Sequence, residues 1–249
     1  MYYMTLSEII SGTGTDDKVL RICNFTGERS DLDAMREYFS SQEVALAIDR
    51  TESGRPRDVV VLESGGLFLA ADSLGALQRY VEGWREGETP DVWTAPPSVV
   101  DAMTETRFTS YDKRRMIHAS RIVEFRGWNA GEGELHAGFQ DLSKIDFQKN
   151  VYRNLDRKGL DVHVYGEGDP ESIGRAKEMG LRVHESDEEE VLRHWWVAYD
   201  GDGDDGDKSV LLAQERGPNE FYGFWADDPS VVDDTIERLR TLQSPATTA

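Results

Sequence analysis

Gly65 and Gly66 separate two apolar runs, DVVVLE and LFLAA, and this juncture constrains the chain more than any other short stretch. Adjacent glycines reach the left-handed backbone angles of a primed turn without steric cost, so the two runs predict the arms of a β-hairpin. The flanking sequence extends the unit. Upstream, VLRICNF reads as a strand, Ser30 caps a predicted helix with Leu32, Met35 and Phe39 on one face, and EVALAID reads as a second strand. Downstream, Ser73 caps a predicted helix carrying Leu74, Leu77, Val81 and Trp84 at helical spacing. Residues 1–86 are therefore expected to form an N-terminal lobe of order β-α-β-β-β-α.

Three prolines between Gly87 and Pro97 break the periodicity and predict a linker or exposed loop over 87–107. Thr109 or Ser110 then caps a predicted long helix from Asp112 to about Trp128. A second, from about Asp141 to Lys158, turns Leu142, Ile145, Tyr152 and Leu155 inward and stops at Gly159. The last third alternates LDVHVY, SIGRAKEM, LRVH, EEEVLR, WWVAYDG, SVLLAQE and FYGFWA, and closes on a helix started by Asp228 and Pro229. Apart from one short helix and one further strand, this order repeats that of the first lobe, by duplication or by chance. The expected fold is a mixed α/β (α+β) chain of two β-α-β-β-β-α-like lobes with mixed sheets, joined by a central helical segment. Its second region spans 108–242, followed by a disordered tail over 243–249.

The chain carries 48 acidic against 28 basic residues, a formal charge of -20, and seven of the basic residues are lysine. A dense carboxylate surface poor in lysine matches adaptation to molar salt, where the Debye length shrinks to roughly 3 Å. The same excess opposes broad binding to nucleic acid. A single cysteine, Cys23, excludes an intramolecular disulfide or a cysteine-rich zinc site, and its apolar setting predicts a buried thiol. No stretch approaches the roughly 20 apolar residues that cross a bilayer, and MYYMTLSEII lacks the basic start of a secretory signal. A cytoplasmic, membrane-free protein is expected. Thr5 and Glu8 form a capping-box pattern ahead of Ile9 and Ile10, which makes Met4 a candidate start.

Several chemical signatures fail on inspection. The run Asp200, Asp202, Asp204, Asp205 and Asp207 begins like a calcium loop, but Asp205 stands where the turn glycine belongs and Leu211 where the bidentate glutamate belongs. A solvated hairpin turn is the better reading. His136, His163, His184 and His194 have none of the common zinc spacings, and His163, alternating with Val162 and Val164, reads as a strand residue facing away from a core. No metal site is expected. Nucleotide fingerprints and a nucleophile elbow are missing, as is the signature of a diguanylate cyclase. The aromatic clusters, including Phe221 and Trp225 on one face of FYGFW and Tyr222 and Phe224 on the other, read as core.

One concentration stands out. Lys113, Arg114, Arg115, Arg121 and Arg126 gather on the predicted helix 112–128, with Arg114, His118 and Arg121 spaced to share a face. Such a stripe either binds an anionic ligand or an acidic partner, or pairs with carboxylates of its own chain.

The words TSYDKRRM (109–116), GELHAGFQ (133–140), GLDVHVYG (159–166), WWVAYDG (195–201) and FYGFWADDP (221–229) resemble the DICT sensory domain family, in the stand-alone form of halophilic archaea. The resemblance covers about three fifths of the chain clearly and the N-terminal lobe loosely. It implies a cytoplasmic sensory or regulatory protein of signal transduction that binds a small ligand or a separate signalling partner (a kinase, a cyclase or a transcription regulator). It names no cofactor and no catalytic residue, so an enzyme is not expected. Within the family-like stretch, Arg114, Arg121, Trp128 and Gln140 supply charge forks, an aromatic surface and an amide, the set expected to line a ligand site. The alternative is a ligand-free interaction scaffold or homodimer, marked by a large exposed apolar patch.

Because unscreened carboxylates repel one another, the melting temperature followed by circular dichroism is expected to rise from low to molar potassium chloride. A flat series contradicts the high-salt reading.

Overall fold

The computed structural model describes residues 3–14 and 17–243. A mixed α/β fold with two sheets is what it shows. The chain opens on α1 (Leu6–Gly12), whose capping box between Thr5 and Glu8 is formed in both directions. Then come β1 (Lys18–Cys23), α2 (Arg29–Phe39), β2 (Val44–Asp49), β3 (Val59–Ser64), β4 (Leu67–Ser73) and α3 (Leu74–Glu86). These strands form a four-stranded sheet in the order β2-β1-β3-β4, with β1 and β2 parallel and the rest antiparallel. The β3–β4 hairpin turns on Gly65 and Gly66 at φ +55° and +83°, the left-handed angles that such a turn demands. Ser73 caps α3 as the sequence indicates, while α2 starts one residue before Ser30, on Glu28 as its cap.

The rest of the chain supplies α4 (Ser98–Asp101), β5 (Thr106–Tyr111), α5 (Lys113–Ala130), β6 (Glu134–Asp141), α6 (Lys149–Lys158), β7 (Asp161–Glu167), α7 (Pro170–Glu178), β8 (Arg182–Glu185), α8 (Glu189–Arg193), β9 (His194–Tyr199), β10 (Ser209–Gly217), β11 (Glu220–Ala226) and α9 (Pro229–Thr241). Its seven-stranded sheet runs β5-β11-β10-β9-β6-β7-β8. Two of these strands were unforeseen. The central segment, expected to be helical, contributes β5 at one edge and β6 near the middle. The helix expected over 141–158 is instead a 3-10 turn (Leu142–Phe147), a break at Gln148, and α6.

The connectivity of the first sheet recurs inside the second, one strand earlier than the sequence order implied. In the first, β1 pairs in parallel with β2 through α2 and antiparallel with β3, which pairs with β4. In the second, β6 pairs in parallel with β7 through α6 and antiparallel with β9, which pairs with β10. α7, β8 and α8 are inserted between β7 and β9.

One apolar core runs from Leu20, Ile22, Val60 and Leu62 of the small sheet through α2, α3 and α5 to Leu135, Val162, Val197 and Leu211 on one face of the large sheet. A second core fills the opposite face, where Trp196, Leu212 and Phe224 meet Leu6 and Ile10 of α1 and Ile236 and Leu239 of α9. α1 thus belongs to the far layer of the large sheet rather than to the N-terminal lobe. The alternation of FYGFW holds: Phe221 and Trp225 enter the first core and Phe224 the second. The two sheets are also joined through main chain, Thr109 N donating to the Ser41 carbonyl at 3.1 Å and Glu43 N to the Arg107 carbonyl at 3.1 Å.

Cys23 is half-buried rather than enclosed. Gln243, placed in the expected tail, donates to the Tyr165 hydroxyl at 3.1 Å, and residues 244–249 lie outside the described residues. Among the described residues no helix is long and apolar enough to cross a membrane.

Candidate functional site

α5 is the basic helix of the sequence, opened by Asp112 accepting from Arg115 N at 2.9 Å and closed by Gly131 at φ +80°. The stripe Arg114, His118 and Arg121 faces the proline-rich segment after α3. A Cβ on Gly87 would lie 3.5 Å from the Arg114 guanidinium carbon, His118 Nε2 meets the Glu88 carbonyl at 2.8 Å, and Arg121 Nε donates to the Pro90 carbonyl at 3.1 Å. The segment expected as a linker is therefore strapped along α5 by its own carbonyls, with Val92 wholly buried. Burial holds His118 below the ordinary histidine range.

Arg121 is 4% exposed and its ion-pair partner Glu124 1%. Arg121 Nη1 donates to Glu124 Oε2, Arg121 Nη2 donates to Gln148 Oε1, and the Tyr152 hydroxyl donates to Glu124 Oε1 at 2.7 Å. Burial, with Glu124 beside it, pushes the Tyr152 hydroxyl well above its ordinary value. Both carboxylate oxygens and every arm of the guanidinium are thus occupied, the condition under which a buried pair is tolerated. The network borders a cavity of about 40 Å³ lined by Phe139, Lys144, Trp195 and Trp196 among others. That volume admits about one ordered water, far below the roughly 300 Å³ at which small-molecule pockets begin.

The four residues expected to converge do not. Arg114 is exposed at the start of α5, whereas Arg121 is buried two turns later in a pair internal to the protein. Trp128 lies 6.1 Å from Trp93, with Lys158 Nζ 5.2 Å above its ring. Gln140 is 7% exposed on a bulge of β6, at φ +61°, where its amide donates to Glu215 at 3.3 Å and accepts from Lys144 Nζ at 3.2 Å.

Around Arg114 the surface is concave. A groove of about 510 Å³ is lined by Arg85, Lys113, Arg114 and Arg115, with Glu37 and Asp112 as its acidic members. Arg115 lies 4.5 Å above the Trp84 ring and donates to the Glu37 carbonyl at 2.8 Å. Arg85 approaches Glu37 at 4.0 Å, and the Lys113 and Arg114 side chains are exposed and hold no ion pair among the described residues.

A second constellation was not expected. Residues two apart on a strand share a face, and β6 and β7 pair in parallel with Glu134 beside Asp161 and His136 beside His163. The pairing of Tyr165 with His184 adds β8 to the same face. His163 faces away from the core that Val162 and Val164 enter, as its alternation implies, but into a buried layer of its own: it is 6% exposed, and His136 is fully buried. The His136 and His163 rings stack at 4.5 Å, and those of His163 and His184 at 5.1 Å. His136 Nδ1 meets the Tyr165 hydroxyl at 2.8 Å, and His163 Nδ1 meets His184 Nε2 at 2.9 Å. Burial, reinforced by neighbouring imidazoles, pushes His163 and His184 down to about 4, so both are neutral at neutral pH. The His136 hydrogen bond, with Arg240, holds the Glu134 carboxyl at about 2. The sequence does carry a signal for this grid, the acid-x-His words Glu134-Leu135-His136 and Asp161-Val162-His163, but only strand pairing makes it visible.

The acidic run is the β9–β10 hairpin, in which Asp200 Oδ1 accepts from Glu134 N at 2.9 Å and from Asp202 N at 3.1 Å. No family model matches the chain, and no curated protein or solved structure does either.

Arg121→Ala leaves Glu124 buried without its cation and is expected to cost about 3–5 kcal/mol in denaturant unfolding. The apolar pair Arg121→Met with Glu124→Leu is expected to recover most of that loss. A stable, unchanged Arg121→Ala protein contradicts the internal pairing.

Proposed function

We propose that the chain is a non-catalytic regulatory protein of signal transduction, in the manner of the DICT family it resembles, and that it acts by docking an acidic segment of a separate signalling protein in the groove at the start of α5. The groove is the observation that carries this reading. It concentrates Arg85, Lys113, Arg114 and Arg115 around about 510 Å³ of open surface in a chain of net charge -20. Arginine forks suit carboxylates, and the N-terminal end of an 18-residue helix adds the positive end of its dipole. The family-like word TSYDKRRM lies at this place, and the family-like words as a group build β5, β6, β7, β9 and β11 of one sheet. The saturated Arg121 and the water-sized cavity beside it favour a partner over a small ligand.

A specific observation also favours the scaffold or homodimer reading. Leu67, Phe68 and Leu69 on the edge strand β4 are 72%, 67% and 40% exposed, an apolar edge of the kind that pairs with another chain.

Fluorescence anisotropy with a labelled oligoglutamate peptide separates the two. Binding that falls with salt, and that Lys113→Glu with Arg114→Glu weakens at least about tenfold without moving the melting temperature, is the expected result. Absence of peptide binding, in a protein that sediments as a dimer and becomes monomeric on Phe68→Glu, supports the scaffold instead.

A further inference from the structure

We propose that Glu134, His136 and His163 form a binding site for a divalent metal ion of the zinc class. One ligand atom from each lies within 4.8 Å of the others. A tetrahedral ion at the usual distance of about 2.0–2.2 Å needs its ligands roughly 3.4 Å apart, so contraction of these side chains fills three of the four positions. Two imidazoles and a carboxylate are donors for zinc and its neighbours, not for magnesium or calcium, which take oxygen.

The surroundings are those of a built site. Each ligand histidine has its Nδ1 engaged, His136 by the Tyr165 hydroxyl and His163 by His184 and Gln243, which fixes ring orientation and makes Nε2 the ligand atom; His136 Nε2 meets Glu134 Oε2 at 3.2 Å, the contact that an ion replaces. His163 Nε2 is buried and has no hydrogen-bond partner. A buried orphan nitrogen carries a desolvation cost that coordination removes. Asp161 Oδ1 lies 3.6 Å from the same nitrogen but is paired with Arg182 and stands outside the three-residue cluster, which leaves the fourth position to water. Glu134 and Asp161 are about a third exposed, which gives an ion its way in.

Arg240, near the end of α9, holds Glu134 at 2.8 Å and is the ion's competitor. Its side chain is 51% exposed and also feels Asp200, so it can leave Glu134 at little cost. This competition gives a signature that a histidine stack of purely structural role lacks: loss of the arginine must tighten metal binding.

The test is calorimetric titration of zinc alone into the tag-free full chain, stripped beforehand with a chelator. One ion per chain is expected. Glu134→Gln and His163→Asn should remove the stoichiometric site, and His184→Ala should weaken it by about 10–100-fold. Arg240→Ala should bind more tightly than the parent, while Asp202→Asn on the acidic hairpin should leave the affinity unchanged. Should His163→Asn fail to fold, Glu134→Gln and Arg240→Ala carry the test with a half-exposed or surface change. Zinc bound to the folded chain with no 1:1 stoichiometry, a site indifferent to Glu134→Gln, or an Arg240→Ala protein that binds no more tightly overturns the proposal.

Discussion

The parallel pairing of β6 with β7 is the constraint on which both faces of the large sheet depend. A slip of one residue would exchange the faces, placing Leu135, Val162 and Val164 among α8 and α9 and driving His136 and His163 into the apolar layer under α5 and α6. The observed register does the reverse. It aligns acid with acid and histidine with histidine on the far face, and on the near face it sets Phe139 against Tyr152 at 5.0 Å, beside the Arg121–Glu124 pair. The bulge between Gly138 and Gln140 shifts the ladder, which resumes with Gln140 beside Gly166, and sends the Gln140 amide toward Glu215 and Lys144.

α5 divides its charge between two tasks. Toward its middle, His118 and Arg121 hold backbone carbonyls of the segment after α3, so part of a stripe that reads as an anion site is spent on the protein's own main chain. Toward its start, Lys113 and Arg114 remain exposed around a groove. In a chain with 48 acidic residues, these two cations hold no ion pair among the described residues. At molar salt the Debye length is roughly 3 Å, so only contact pairs count there, and forked arginine contacts outlast a long-range field.

Much of this was legible in the sequence because it is local. Gly65 and Gly66, the Thr5–Glu8 box, Ser73, and Asp228 followed by Pro229 each act within a few residues, and each is found as read. β5 and β6 were not, since TRFTSY and ELHAGFQD are short, mixed in polarity and stabilised by partners far along the chain. The same distance hid the histidine grid: His136 and His163 are neighbours only through register, and His163 and His184 only through β8. Arg121 was seen as half of a pair with an internal carboxylate or a ligand. Glu124, one turn on, decides between them, but its burial with Tyr152 becomes apparent only once α6 is folded against α5.

Strand register brings Glu134 and His136 of β6 beside His163 of β7, and the metal ion proposed for this grid depends on that register. Anomalous diffraction at the zinc edge, from crystals of the full chain grown with zinc, tests it most directly. One strong peak is expected at bonding distance from His136 Nε2, His163 Nε2 and Glu134, with Arg240 released from that carboxylate. A peak confined to the Asp200–Asp207 hairpin, or none at the histidines while Arg240 still holds Glu134, would contradict it.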